Sequence, residues 1–314
     1  MTAAKNLAAS IRERLRQRAL ADRRPFDEVL TYYAMDRFLF RLGQTTHRDR
    51  FVLKGAMMLR LWGTTIARPT RDIDLLGRGD LAAGQLASAI ADCIAAEAPP
   101  DALVFDVGSI VTSEIREQER YGGIRAEFQA MLERARIKMQ VDVGLGDVIT
   151  PRAVEVTYPT LLDFPAPKLH GYPVETAVAE KLEAIVDLGL ANSRMKDFFD
   201  LWSIAGHLEL DGATVAKAIG ATFERRGTAV PTSIPVGLSS TFAADADRQK
   251  QWSAFVRRIR VDRAPSFADV VARIQRFAMP VFSAATGIAF DAMWTPTTEW
   301  ATRATTQSTM TPLR

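Results

Sequence analysis

An α+β fold is predicted by three observations on this 314-residue chain. Residues 136–143 alternate apolar Ile137, Met139, Val141 and Val143 with polar Arg136, Lys138, Gln140 and Asp142, the period of two that marks a half-buried strand. A second strand-like run, Arg71-Asp72-Ile73-Asp74-Leu75, places two aspartates around one apolar residue. Beyond a proline-rich stretch at residues 163–173 the apolar residues recur at helical steps instead. Strands gathered early and helices late predict a sheet-containing domain at residues 1–162, a helical domain at 163–295 and a frayed, Thr- and Ser-rich tail at 296–314.

The elements follow in order. Leu7, Ile11 and Leu15 recur at helical spacing, and after Pro25 so do Val29, Tyr33 and Phe38 to Leu42, less regularly. Phe51-Val52-Leu53 leads into a Lys54-Gly55-Ala56 turn, and residues 56–62 are Met- and Leu-rich like a buried helix. Arg68-Pro69-Thr70 then breaks it, because proline cannot continue a helix and biases its predecessor towards extended backbone. Residues 81–97 repeat Leu86, Ile90, Cys93 and Ile94 as a helix, residues 103–111 are strand-like, and 123–128 form a weaker strand after Tyr121-Gly122-Gly123. In the second half helices are predicted near 175–188, 193–205, 212–225, 246–260 and 266–277, the pattern staying helical to the tail.

With 47% hydrophobic and 25% charged residues the composition is that of a soluble globular protein. The single cysteine, Cys93, excludes an internal disulfide and a cysteine-based zinc cage, and is expected as a small apolar residue on a helix. The N-terminal stretch lacks the apolar core of a signal peptide, and no apolar run is long enough to cross a bilayer. A reducing, cytoplasmic location without membrane association is expected. Net charge is only +3, yet Arg12, Arg14, Arg16, Arg18, Arg23 and Arg24 cluster early, and Arg257, Arg258, Arg260, Arg263, Arg273 and Arg276 late. Such clusters track a phosphate backbone or line solvated helix faces, the second being commoner. His47, His170 and His207 are too dispersed for a zinc site or a catalytic triad.

Alternate residues of a strand face one side, so Asp72 and Asp74 share a face while Arg71, Ile73 and Leu75 take the other. Asp142, on the open face of its own strand, is a candidate third carboxylate. Magnesium takes oxygen ligands and keeps several waters, so such carboxylates with substrate phosphates complete a site suited to phosphoryl or nucleotidyl transfer. A solvated strand explains two aspartates as cheaply; what favours the metal is the company. Lys54-Gly55-Ala56 is either an ordinary helix start or a turn whose backbone N–H groups open towards phosphate. Lys181 lies beside the stripe of Val178, Leu182 and Ile185, where it either snorkels to solvent or holds a triphosphate as a point charge. Ser193 is placed to cap a helix on which Asp197 and Asp200 share a face; Lys196 and Asp200 have the spacing of a surface ion pair. Trp252, Phe255 and Ile259 fit a core stripe better than a stacking platform for bases.

In order, Phe51-Val-Leu-Lys-Gly-Ala-Met-Met-Leu-Arg60, Arg68-Pro-Thr-Arg-Asp-Ile-Asp-Leu75, Gln140-Val-Asp-Val-Gly-Leu-Gly-Asp147, Ala179-Glu-Lys-Leu-Glu-Ala-Ile185 and Arg194-Met-Lys-Asp-Phe-Phe-Asp-Leu201 resemble the AbiEii/AbiGii family of nucleotidyltransferase-like toxins, which includes the MenT toxins. The resemblance spans about residues 51–202 and rests on the combination of motifs. It implies a polymerase-β-like nucleotidyltransferase core with a mixed sheet joined to a helical domain, with NTP and Mg2+ between them. It also implies that Asp72 and Asp74 bind metal, with Asp142 as a further ligand or as the base. Lys54, Gly55, Ala56 and Lys181, with Arg194 and Lys196 nearby, would meet the nucleotide, and Asp197 or Asp200 would complete the centre. The implied activity is that of a toxin of a toxin–antitoxin system that adds NMP to the 3′ end of tRNA and so stops translation. Its partners would be tRNA or another RNA acceptor and a cognate antitoxin, either a binding protein or a kinase acting near Thr70. A protein or small-molecule hydroxyl as acceptor, and a non-catalytic RNA-binding module on the same scaffold, are the competing readings. The family often has Gly-Ser or Gly-Gly where this chain has Gly55-Ala56, which predicts altered nucleotide affinity and not loss of activity.

Overall fold

The computed structural model describes residues 2–64, 68–115, 122–261 and 264–302, with side chains from residue 6 onward. Arg263, Tyr121 and the tail beyond residue 302 therefore lie outside the described residues. The chain divides into two compact units, Met1–Ala177 and Val178–Arg314.

The first unit opens with α1 (Thr2–Ala21) and α2 (Phe26–Gln44), followed by β1 (Phe51–Lys54), α3 (Ala56–Leu61), β2 (Ile73–Gly77) and α4 (Ala83–Ala95). Three long strands come next, β3 (Leu103–Ile115), β4 (Gly123–Leu132) and β5 (Ala135–Leu145), then the short β6 (Val154–Thr157) and β7 (Lys168–Gly171). They form a seven-stranded mixed sheet in the order β3-β4-β5-β2-β1-β7-β6. The pairs β2–β5 and β1–β7 are parallel and the other neighbours antiparallel. The α+β class with a mixed sheet is thus as the sequence predicts.

Alternation decides which face is covered. Ile137, Met139, Val141 and Val143 of β5 and Ile73 and Leu75 of β2 are all buried, and α2 and α4 pack over that side. There Phe38 of α2 meets the rings of Phe105 and Phe128 at 6.3 and 5.3 Å. Cys93 of α4 is buried as expected, its thiol pushed up to about 12 by burial.

The proline-rich stretch expected to separate the domains is instead part of the first unit. It contains β7, and its Pro165 carbonyl accepts a 2.9 Å hydrogen bond from the fully buried Arg37 of α2. Arg37 also pairs with Asp36 at 2.8 Å and lies over the rings of Phe40 and Phe164. A buried cation with those partners ties the stretch to α2, so the division between units falls later than 162/163.

The helix α5 (Val174–Leu188) runs across the division. The second unit continues with α6 (Met195–His207), β8 (Leu210–Asp211), α7 (Gly212–Arg226), α8 (Ser240–Ala244), α9 (Ala246–Ile259), α10 (Phe267–Ala285), β9 (Ala292–Thr295) and β10 (Glu299–Thr302). Trp252, Phe255 and Ile259 are buried core residues of α9. The expectation of helix alone fails here, because β8, β9 and β10 form a three-stranded sheet. Strands of two to four residues are too short to show a period. Part of the expected tail belongs to this sheet: Trp300 of β10 stacks on Phe277 at 5.3 Å and donates its indole N–H to the Phe277 carbonyl. The cap of α6 is also revised. Arg194 takes that position, and its backbone N–H is bonded at 2.8 Å by the Asn192 side chain, not by Ser193.

Candidate active site

Four strands of the first unit bring charged residues into one row on the open face of the sheet. Arg125 of β4 is in register with Asp142 of β5, Asp142 with Asp74 of β2, and Asp74 with Lys54 of β1. Residues in register across neighbouring strands share a face, so the row reads cation, carboxylate, carboxylate, cation. Asp72 lies two residues from Asp74, on the same side. The carboxylates of Asp72, Asp74 and Asp142 each offer an oxygen within 4.8 Å of the others, all three half-buried. Like charges so close are costly unless compensated, and the surroundings show how they are compensated.

Asp142 receives Arg125 in a fork, Nε to Oδ1 and Nη2 to Oδ2 both at 2.8 Å, and the Gln140 amide donates to Oδ2 at 3.1 Å. Asp72 accepts from the Thr70 hydroxyl, while the Thr70 backbone N–H is fixed at 3.0 Å by the Tyr32 hydroxyl of α2. Lys54 pairs at 2.9 Å with Asp147, just beyond β5, and its ammonium lies 5.1 Å from the Tyr172 ring centroid.

Gly55 has a second function besides the turn. Its φ of 73° is a backbone region that side chains disfavour. A Cβ at this position would also come within 2.7 Å of Asp74 Cγ and closer still to Oδ2. Glycine is therefore required by the neighbouring carboxylate itself. Ala56 opens α3 and is buried, so the residue that departs from the common family pattern contributes packing as well as a backbone N–H.

In the second unit Lys181, Asp197 and Asp200 do come together. Lys181 Nζ donates to Asp197 Oδ1 at 3.0 Å and to Asp200 Oδ2 at 2.7 Å. Asp197 also forms a 2.7 Å ion pair with Arg194. The side chains of Asp197 and Asp200 are 3% and 0% exposed and that of Lys181 14%, so these charges are nearly out of water. Burial opposes ionisation of Asp197, but the charges of Lys181, Arg194 and Lys196 outweigh it and hold the carboxyl below the usual carboxylate range. Lys196 is exposed.

The early arginine cluster is largely matched by acids: Arg14 pairs with Asp163, Arg16 with Glu13, Arg18 with Asp22 and Arg24 with Glu28. Among the late ones Arg276 pairs with Glu299, and Arg273 donates to the Ala205 and Pro296 carbonyls. Solvated or structural arginines account for these. Sequence reasoning did not single out Arg125, and it gave Asp147 no role. Asp147 stood at the end of a recognised motif, whereas Arg125 carried no local signal, because its importance comes from a partner 17 positions away.

Among the described residues the three carboxylates fit a divalent cation: the donors are hard oxygens, close together and half-exposed, and Gly55 leaves Asp74 its place. No helix among them is long and apolar enough to cross a membrane.

Two solved structures are similar over 80% of this chain at 14% identity: JHP933 from Helicobacter pylori, with 89% of that chain covered and a TM-score of 0.45, and an H. pylori chain described provisionally as a nucleotidyltransferase, with 92% covered and a TM-score of 0.44. No curated protein matches the sequence. The model of the nucleotidyl transferase AbiEii toxin family, of the Type IV toxin–antitoxin system, matches residues 37–273, and the chain belongs to that family.

Proposed function

We propose that this chain is an NTP-dependent nucleotidyltransferase toxin that moves NMP from an NTP to the 3′ end of tRNA and so blocks translation. The observation that carries the reading is the carboxylate triad Asp72, Asp74 and Asp142 in a chain of this family. In the reaction the 3′ hydroxyl oxygen bonds to the α-phosphorus, the bond to the bridging oxygen breaks, pyrophosphate leaves, and the hydroxyl proton passes to a carboxylate or to water. Asp72, Asp74 and Asp142 would hold Mg2+, which when bound offsets the charge of the phosphates and favours the deprotonated hydroxyl.

The chain's own groups supply the rest. Thr70 steadies Asp72, and Gly55 keeps Asp74 in its place. Lys54, at the end of the row and braced by Asp147, is a point charge for phosphate, with the backbone N–H groups at Gly55 and Ala56 beside it. The second unit offers its own cation cluster, in which Asp197 and Asp200 hold Lys181 in one orientation, with Arg194 and Lys196 adjacent, for nucleotide phosphate. The antitoxin, a binding protein or a kinase acting on Thr70, would act on the sheet face of the first unit that carries Asp72.

The test is incubation of the full chain with tRNA, Mg2+ and each α-labelled NTP. Label on the tRNA 3′ end, lost in Asp74→Asn, is the expected result. Label on protein instead would move the acceptor, and no transfer to any acceptor would refute the proposal.

A further inference from the structure

The Arg125 fork poses a problem for Asp142 as a ligand. A carboxylate offers about four lone-pair positions. Three are taken here, one on Oδ1 and one on Oδ2 by Arg125 and a second on Oδ2 by Gln140. What remains on Oδ1 lies beside a guanidinium, whose charge repels any cation approaching Asp72 and Asp74. Arg125 is 35% exposed and Asp142 15%, so the pair has room to open on the solvent side.

We propose that Arg125 is a built-in competitor of the divalent cation: it neutralises Asp142 when no metal is present and must leave that carboxylate for Asp142 to join Asp72 and Asp74 around the ion. This rests on the reading of the three aspartates as the metal site. The register Arg125↔Asp142↔Asp74 makes the competition direct, since cation and guanidinium approach Asp142 from positions in the same row. The carboxylates avoid mutual repulsion in the resting protein, at the cost of weaker metal binding. Arg125 is thus a positioning residue that sets metal affinity, and Gln140 holds the carboxylate while the partner changes.

The experiment is a Mn2+ titration of the full-length protein without nucleotide, following the electron paramagnetic resonance signal of free Mn2+. Wild type, Arg125→Ala, Arg125→Lys, Asp142→Asn, Asp74→Asn and the Arg125→Ala/Asp142→Asn double variant are compared. Removing a partly exposed fork should tighten Mn2+ binding about fivefold in Arg125→Ala. Arg125→Lys, which keeps the charge but loses the fork, should gain less and gives a second reading if the alanine variant folds poorly. In the Asp142→Asn background the arginine substitution should tighten binding clearly less than in wild type, since only the repulsion by the guanidinium is then relieved, an outcome that general loosening of the fold would not produce. Unchanged or weaker Mn2+ binding in both Arg125 variants, with wild type binding and Asp74→Asn not, would overturn the competition and leave the metal site standing. Absence of binding in every variant would overturn both.

Discussion

The two units use the same residue types, aspartate with lysine or arginine, in opposite ways. On the open sheet face the carboxylates of Asp72, Asp74 and Asp142 stand half-buried and crowded, Asp142 compensated by Arg125 at the solvent margin and Asp72 bonded by the Thr70 hydroxyl. Around α5 and α6 the carboxylates of Asp197 and Asp200 are almost wholly out of water, and one ammonium bridges both. An ion pair at the margin exchanges partners at little cost, because water compensates whatever is released. A buried one does not, because each charge left behind pays its full desolvation penalty. The first arrangement suits a group that must accept an incoming cation; the second fixes geometry.

The largest expected effect therefore lies in the cluster that holds its charges buried. Lys181→Met removes the ammonium that bridges two buried carboxylates and should destabilise the protein by about 3–5 kcal/mol, read by urea denaturation. Asp74→Asn should leave the urea midpoint nearly unchanged while abolishing transfer. Equal losses of stability in the two variants would erase the contrast drawn between the regions.

Next in size is Gly55→Ala. Its Cβ would collide with the Asp74 carboxylate in a backbone conformation that alanine disfavours, so a cost of roughly 1–3 kcal/mol is expected. Transfer activity should fall with it, since Asp74 must move aside. A fully active, fully stable alanine variant would show that the turn is less constrained than its geometry requires.

The smallest effect is in pH dependence. Asp197 is held below the usual carboxylate range, whereas an unfolded aspartate titrates near about 4. Its contribution to stability is thus present above that pH and is lost as pH falls towards the depressed folded value, because the unfolded chain then takes up the proton first. Urea unfolding measured between neutral and acid pH should show a decline in wild type that is smaller in Asp197→Asn. Identical slopes would mean that Lys181 and Arg194 do not hold the charge in place.

Several features of the two charged clusters were legible in residue order. The alternation through Asp142 identified β5 and its open face, and Asp72-Ile73-Asp74 identified β2, although that strand begins only at Ile73, with Asp72 just before it. Helical spacing located α5 and α6, and with them Lys181, Asp197 and Asp200. The strands β8 to β10 escaped because they are too short to carry a period, and β7 because proline-rich flanks resemble a connection. The need for Gly55 was visible as a turn, but its reason, the carboxylate opposite, was not.

By itself the sequence determined which residues alternate, which recur at helical steps, and hence which side of each element faces water, since these depend on backbone periods of 2.0 and 3.6 residues. It also carried the ordered motifs that resemble the AbiEii family, whose model matches residues 37–273. Only the tertiary structure decided that Arg125, Asp142, Asp74 and Lys54 form one row, because strand register is a property of pairing between distant segments. It alone decided that Lys181 is held between two buried aspartates instead of reaching to solvent, since the energy of a charge depends on what surrounds it and not on its neighbours in the chain.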